Sequence, residues 1–452
     1  MELPNYFLAD LPEAALDPTI VAEACQTLKR NRERYLQPRS TASLIAVISE
    51  TAAEWLKPDF PFRQAALRDG PSPTGFSAAT LARGLDDFFR QITAANLEAL
   101  VRQDLGQLPR LDRMAPLEAQ PRTLALARGP EFLVHITAGN IPLPAITSMI
   151  LGLLVRAAQF VKCATGASLV PRLFAHSLYE ADRKLGACLE LAEWPGRTEA
   201  LEQILWREAD CVTVTGRDET VEAIRRQLPP GARLIAHGHK VSFAFVAREE
   251  LNGRAARQAA ARAAADVAAW DQLGCLSPQV IYVERDGGVS PENFAGLLAA
   301  ELETREAVEP RGAIDLETAA AIASRRRFYE VRAANLTGTR LWASPGNTAW
   351  TVVYEDEPRF QNSCQHRFIY VKGVADLTAA LEGADMVKGK VSTLGLAASP
   401  PRLREFAEQA ARWGVTRVCP LGQMQNPPLG WHHDGRPALG DLVAWTDWEE
   451  AT

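Results

Sequence analysis

Much that would place a protein outside the cell, in a membrane or on nucleic acid is missing from these 452 residues. The N-terminus, Met1-Glu2-Leu3-Pro4-Asn5-Tyr6, has no basic segment followed by an apolar stretch, so no secretory signal is expected. The longest apolar stretch, about 141–155, is interrupted by prolines and is shorter than the roughly 20 residues that span a bilayer. Cysteine is sparse. The seven (Cys25, Cys163, Cys188, Cys211, Cys275, Cys364, Cys419) are odd in number, scattered and never in a C-x-x-C pair, which argues against a disulfide framework and a zinc ribbon. A cytoplasmic protein with reduced thiols is expected. With 49 Lys+Arg against 55 Asp+Glu the net charge is −6, so no basic field attracts nucleic acid or an anionic membrane. A G-x-G-x-x-G fingerprint, a G-x-x-x-x-G-K-[ST] loop and a G-x-S-x-G elbow are absent too, so any nucleotide must be held another way. His237-Gly-His239 and His432-His433 are the only close histidine pairs. Neither has carboxylate or thiolate companions at ligand spacing, and no metal site is expected.

What remains is an ordinary globular composition, 47% apolar and 23% charged, long enough for two or three domains with full cores. The first 115 or so residues read mostly as helix, for example 17–34 and 78–105. From Glu131 short β-rich runs alternate with helical ones. Strands at 132–136, 159–162 and 211–215 precede helices near 145–156, 171–191 and 218–228, the pattern of a parallel sheet with crossover helices. A second α/β block opens with the alanine-rich helix 254–270, whose small side chains permit close packing. It continues through strands 279–283, 350–354 and 368–371 and helices 292–303 and 401–413. The Pro- and Gly-rich tail from Asn426 reads as an arm or hairpin.

Four turns in a fixed order carry the chemistry. His135-Ile-Thr-Ala-Gly-Asn140-Ile-Pro142 ends a strand and leaves an amide at the edge where open α/β sheets bind ligands. Asn140 there either donates to a developing oxyanion or caps the next helix. Lys162 closes the following strand. Val214-Thr215-Gly216-Arg217-Asp218 is a strand-to-helix turn that either presents backbone N–H groups to phosphate or is an ordinary helix start. Asp271-Gln-Leu-Gly-Cys275-Leu-Ser-Pro278 places a cysteine on a tight loop at a domain junction, where a thiolate nucleophile has access. Cys163, Cys188 and Cys211 lie in apolar contexts and read as inert.

Together these segments resemble the aldehyde dehydrogenase superfamily over about residues 125–400. Thr137-Ala-Gly-Asn140-Ile-Pro-Leu143 is similar to its oxyanion-amide segment, and Phe160-Val-Lys162 to its cofactor lysine. Val214-Thr215-Gly216 is similar to the turn under the dinucleotide, Gly238-His-Lys240 to the Gly-Gly-Lys loop, and Gly274-Cys275 to the nucleophile motif. Within the superfamily the nearest likeness is to the acyl-CoA reductases of the bacterial bioluminescence (Lux-type) fatty acid reductase complex. It is carried by Asp271-Gln272, Cys275-Leu-Ser-Pro278-Gln, Cys419-Pro-Leu-Gly-Gln-Met-Gln-Asn-Pro-Pro428 and Trp431-His-His-Asp-Gly435-Arg-Pro437. The resemblance implies an α/β, aldehyde dehydrogenase-like fold of two α/β domains with parallel sheets. An N-terminal helical region (1–115) would pack on an NADP-binding domain (116–250), followed by a catalytic domain (251–425) and an oligomerising C-terminal arm (426–452).

It also implies reduction of an acyl-CoA, with a long fatty chain, to the aldehyde through a Cys275 thioester, with Asn140 at the oxyanion. Lys162, Thr165, Thr215, Gly216, Arg217 and Gly238 would cradle NADPH. The substrate would be acyl-CoA or an acyl-protein, with an acyl-protein synthetase as a further partner and a homo-oligomer as the assembly. Where hydrolytic relatives carry a water-activating glutamate this chain has Ala236, which suits a reductase. Where NAD-preferring relatives carry an acid three residues after the lysine it has the neutral Thr165, which favours NADPH without excluding NADH. Phe360-Gln-Asn-Ser-Cys364 offers no counterpart to the second ribose-binding glutamate. The reverse activity, an NAD(P)-dependent aldehyde dehydrogenase, is the alternative, and a silent acyl-binding scaffold is a third reading. Arg325-Arg326-Arg327 could meet CoA phosphates or form a solvated helix face, and His237, His239, His432 and His433 are candidate proton donors.

Overall fold

The computed structural model describes residues 3–11, 16–117 and 120–449, so Met1, Glu2 and the last three residues of the tail lie outside the described residues. The first α/β unit is a five-stranded parallel sheet. In spatial order its strands are Leu189–Glu193, Ala158–Cys163, Phe132–Ile136, Cys211–Thr215 and Arg233–His237. The chain enters at the central strand, winds one way to Leu189–Glu193, then returns to start the other half at Cys211–Thr215. The switch point therefore lies between Ile136 and Thr215, where the crevice outside the strand C-termini forms in such sheets. Apolar runs such as Phe132-Leu-Val become central strands because both faces are covered. On one face the N-terminal helices supply Trp55 and Phe89, which stack on each other, tilt against Phe174 and pack with Ile146, Leu153 and Val161. On the other, Val21, Cys25 and Leu28 cover Phe132, Phe160 and Trp194.

The second unit is a seven-stranded sheet: Thr339–Ala343, Thr351–Glu355, Phe368–Val374, Pro278–Glu284, Val241–Val246, Val391–Ala397 and Arg417–Pro420. All pairs are parallel except the first. Helix Gly253–Ala268 buries Ala256, Ala259, Ala260, Ala263 and Ala264 and shares a core with Phe294, Ala295 and Leu298 of helix Pro291–Val308. A third, antiparallel sheet joins Ala115–Leu117, Gln120–Arg128 and Ala444–Glu449. Among the described residues no helix is long and apolar enough to cross a membrane.

Several boundaries differ from the sequence reading. The helix expected over 78–105 is two helices, Ala78–Phe89 and Ala94–Leu105, because the Thr93 side chain accepts from the Asn96 N–H and starts a new one. The helix expected over 171–191 stops at Ala181; Asp182 caps a four-residue turn, and Leu189–Glu193 is a strand. Val241–Val246, inside the 116–250 segment, belongs to the second sheet, where it finds hydrogen-bond partners on both sides. The tail is only partly an arm. Its strand Ala444–Glu449 completes the small sheet, but Leu439, Leu442 and Val443 enter the core of the first unit.

Candidate active site

A cavity forms between the C-terminal ends of the first sheet's strands and the loop that leads into Pro278–Glu284 of the second. Cys275 and Leu276 line it together with Thr213, Thr215, His135 and His237 from the first sheet. Its apolar wall includes Phe88, Ile92, Ile141, Leu143 and Leu151. Cys275 is the one exposed thiol of the seven; Cys364 is half-buried and the other five are buried. Although open to the cavity, the thiol is surrounded by protein. Burial pushes it up to about 12, the Asp434 carboxylate adds to the rise, and the backbone N–H groups of Cys275 and Leu276 oppose it.

The loop before Cys275 holds an unusual backbone. Trp270, Asp271 and Gln272 have φ of 52°, 48° and 64°, a left-handed turn without glycine. Such a turn persists only where its surroundings over-determine it. Here Arg367 donates from Nε to Asp271 Oδ1 (2.9 Å), the Gly312 N–H donates to Asp271 Oδ2 (3.0 Å), and Gln272 Nε2 donates to the Pro278 carbonyl (2.8 Å). Arg367 closes a second left-handed run, Gln365-His366-Arg367. Trp270 packs edge-on against Phe76 and occupies the space left by Gly84, where a Cβ would lie 2.0 Å from its ring. The Ser242 hydroxyl anchors the Cys275 carbonyl (2.8 Å).

Asn140 joins this loop: its amide donates to the Leu273 carbonyl at 2.8 Å, two residues before Cys275, while the side chain stays exposed. Lys162 is buried (6% exposed), and its ammonium has no hydrogen-bond acceptor among the described residues. Burial lowers its pKa, and Glu202 and Glu193 oppose that fall. An ammonium without an acceptor at the C-terminal edge of the sheet fits a dinucleotide's ribose or phosphate oxygens. Thr165 is exposed beside it, yet Glu193 on the neighbouring strand accepts from the Gly166 N–H (2.6 Å), so negative charge is present near a residue chosen for its neutrality.

Of the expected phosphate turn, Thr215 lines the cavity and Arg217 is exposed, but the Gly216 N–H already donates to the His237 carbonyl (3.1 Å). Asp218 and Glu219 occupy the first helical turn, which uses the positive helix end that an anion would seek. Gly238 packs against Asp218, whose Oδ1 would be 2.5 Å from an added Cβ. Gly238 thus lets two loops close on each other, whereas a Cβ at Gly216 would meet only Thr220 at an ordinary 3.7 Å. The arginine run also divides: Arg326 holds Thr351, Asn347 and Trp350 acceptors, Arg327 pairs with Glu330, and Arg325 is exposed.

The fold assembles one group that sequence spacing did not show. His237 Nδ1 lies 2.9 Å from Asp434 Oδ2, and the His433 ring stacks on His237 at 4.0 Å and 8°. Asp434 is adjacent to His433 in sequence, so a carboxylate companion exists for the pair judged to have none. The three groups bring one ligand atom each within 4.8 Å. The two rings are nearly parallel, however, and a metal ion sits in the plane of an imidazole that binds it, so stacked rings do not share one. His239 and His432 are exposed. The Asp434-Gly435 pair, with φ of 53° and 81° between the bridged residues His433 and Arg436, is a primed hairpin turn, and that Asp-Gly signal was legible.

With this geometry in place, likeness to known proteins decides the family. The profile described as acyl-CoA reductase (LuxC) matches residues 36–445. The chain belongs to that family. It is 23% identical over 411 residues to the long-chain acyl-protein thioester reductase of Aliivibrio fischeri, covering 87% of this chain and 79% of that one. The Vibrio harveyi protein of the same name is 22% identical over 422 residues, 92% of this chain and 84% of that one. The fold is that of the aldehyde dehydrogenases. The KauB enzyme of Pseudomonas aeruginosa superposes with a TM-score of 0.72 at 14% identity, covering 96% of this chain and 90% of that one. A bifunctional proline utilization A protein gives 0.73 at 18% identity; the match covers 96% of this chain but only 45% of that longer one.

Within the family, Ala236 is indeed no base, but the next residue, His237, puts an imidazole into the cavity.

Proposed function

We propose that this chain reduces a fatty acyl thioester, acyl-CoA or acyl-protein, to the aldehyde through a thioester on Cys275. One observation carries the reading: the single exposed thiol sits at the mouth of an apolar cavity, on a loop tied to Asn140, at the switch-point edge of a parallel sheet. The relatives named long-chain acyl-protein thioester reductase support it. Cys275 attacks the acyl carbonyl and the donor thiol leaves. The Cys275 N–H and the second amide hydrogen of Asn140 steady the oxyanion, without adding charge of their own. The apolar wall receives the chain and keeps water from the acyl-enzyme. Lys162, Thr165, Thr215, Gly216 and Arg217 would hold NADPH, and Gly238 keeps the loops beside it closed. When bound, that cofactor supplies hydride to the acyl carbon.

Mass spectrometry after incubation with palmitoyl-CoA and no reductant tests the acyl-enzyme. A mass gain confined to Cys275, lost in Cys275→Ala, is expected. Labelling that survives the substitution removes the assignment. Aldehyde formation from acyl-CoA or acyl-protein with NADPH or NADH, against acid formation from aldehyde, fixes the donor, cofactor and direction. We also read the exposed strand Ala444–Glu449, with Trp445 and Trp448 44% and 53% exposed, as the contact of a homo-oligomer. A monomer by light scattering would refute that.

A further inference from the structure

We propose that His237, oriented by Asp434, is the acid–base residue that takes the Cys275 proton and returns it to the departing thiol. This deepens the reading above and rests on it. His237 and Cys275 line the same cavity from opposite sheets. His237 Nδ1 is committed to Asp434 Oδ2 at 2.9 Å, so in the neutral ring Nδ1 carries the hydrogen and Nε2 is left as the base. Nε2 has no hydrogen-bond partner among the described residues, which is the state required of a group waiting for a proton.

The surroundings fix this arrangement from three sides. The His433 ring lies flat on His237, and Trp431 lies against His433 at 4.7 Å and 31°, with the Arg417 guanidinium 5.6 Å from the Trp431 ring centroid. The stack sets the plane of His237. The Asp434-Gly435 turn aims the carboxylate; its second oxygen, Oδ1, is buried without a partner, and His433 Nε2 stays 3.9 Å from Oδ2, beyond hydrogen-bond distance. Burial would raise Asp434, but the His237 hydrogen bond and the charges of His433, His237 and Lys240 bring it below its ordinary value. His433 is held down to about 4 by burial, with repulsion from His237 next, so His433 stays neutral at neutral pH. The charged or titratable groups beside His237 are Asp434, His433 and Lys240, and the cavity wall adds Cys275, His135, Arg83, Asp87, Asp266, Glu309, Arg436 and Asp441.

The need for a base is set by the thiol itself. The protein around the cavity-facing thiol raises its pKa, so deprotonation at neutral pH calls for an acceptor beside it. In the acylation half-reaction the S–H bond breaks, the proton moves to His237 Nε2, and the sulfur electron pair forms the new S–C bond. The thioester C–S bond then breaks, and its electron pair leaves on the donor sulfur, which takes the proton from Nε2. Thiol plus thioester give acyl-enzyme plus thiol, with no outside oxidant, reductant or proton needed.

The test uses the full chain without any nicotinamide cofactor and reads two rates. The first is alkylation of Cys275 by iodoacetamide across pH, with Cys275→Ser as the background. The second is single-turnover acylation from palmitoyl-CoA by mass. His237→Ala is expected to slow acylation at pH 7 about 100-fold, within the range of general acid–base catalysis. It should also move the alkylation profile to higher pH, and added imidazole should restore part of both. Asp434→Asn, which keeps the shape of the turn, should slow acylation at least tenfold. Parent-like rates and pH profile in His237→Ala, or in Asp434→Asn if the first variant fails to fold, overturn the proposal. A parent protein that never acylates at Cys275 instead overturns the reading of function, while the alkylation profiles still judge the His237 assignment.

Discussion

Removing the guanidinium of Arg367 should release the loop that carries the nucleophile. Arg367 is fully buried and Asp271 is 2% exposed; they pair through Nε at 2.9 Å and Nη2 at 2.8 Å, and Nη1 also reaches Glu306 and the Glu309 carbonyl, each at 2.8 Å. Burial pushes Asp271 up, and Arg367 is the largest influence holding it down. Arg367→Met fills most of the space but leaves Asp271 and Glu306 as unpaired carboxylates. Breaking a buried pair from one side costs about 3–5 kcal/mol. Against that stands a turn of three left-handed residues, each costing about 1–3 kcal/mol to hold. The loss is enough for 270–272 to relax and carry Cys275 out of register. Denaturant unfolding should show a drop of about 3–5 kcal/mol, and Cys275 alkylation should change at least tenfold. The partner control, Arg367→Met with Asp271→Leu, removes the orphaned Asp271 charge, so stability should return in part while the thiol stays displaced. If Arg367→Met unfolds with the parent protein and its thiol reacts at the parent rate, the argument that this pair sets the loop is wrong.

Other outcomes follow from single contacts. Gly84→Ala puts a Cβ 2.0 Å from Trp270, and overpacking of this kind costs about 1–3 kcal/mol; a lower melting temperature with altered Cys275 alkylation is expected, and an unchanged pair of values contradicts it. Glu193→Gln removes the carboxylate that faces Lys162 and opposes a 2′-phosphate, so the ratio of NADPH to NADH affinity should rise about tenfold by titration, and a constant ratio would dismiss Glu193 as a determinant. Burial raises Asp266 to about 7 from an ordinary 3.8, although the Gly422 and Met424 N–H groups bond it. The folded state then keeps a proton that the unfolded chain releases first, so this group's contribution is complete below about 4 and is lost as pH rises through 7. The stability difference between the parent and Asp266→Asn should change in the variant's favour over that window; a pH-independent difference argues against the shift.

The order of short apolar strands and helices was enough to determine an α/β protein with parallel sheets, since period and length are local properties. Cys275 on a Gly-bearing loop, Asn140 after a strand and Lys162 at a strand end were equally visible, because each depends on the residue types beside it. Tertiary structure decided the rest. His237 and Asp434 are 197 residues apart, and only the return of the tail over the first sheet brings them to 2.9 Å. The left-handed turn that starts at Trp270 leaves no glycine to mark it, because Arg367, 96 positions after Asp271, supplies the constraint. Glu193 and Thr165 belong to neighbouring strand ends, so the charge near the lysine depends on strand order rather than on the spacing within one segment. Local sequence chose the elements and offered the reactive atoms. Contacts between distant segments chose which of those atoms meet, because that choice is made by packing two sheets and a tail against one another.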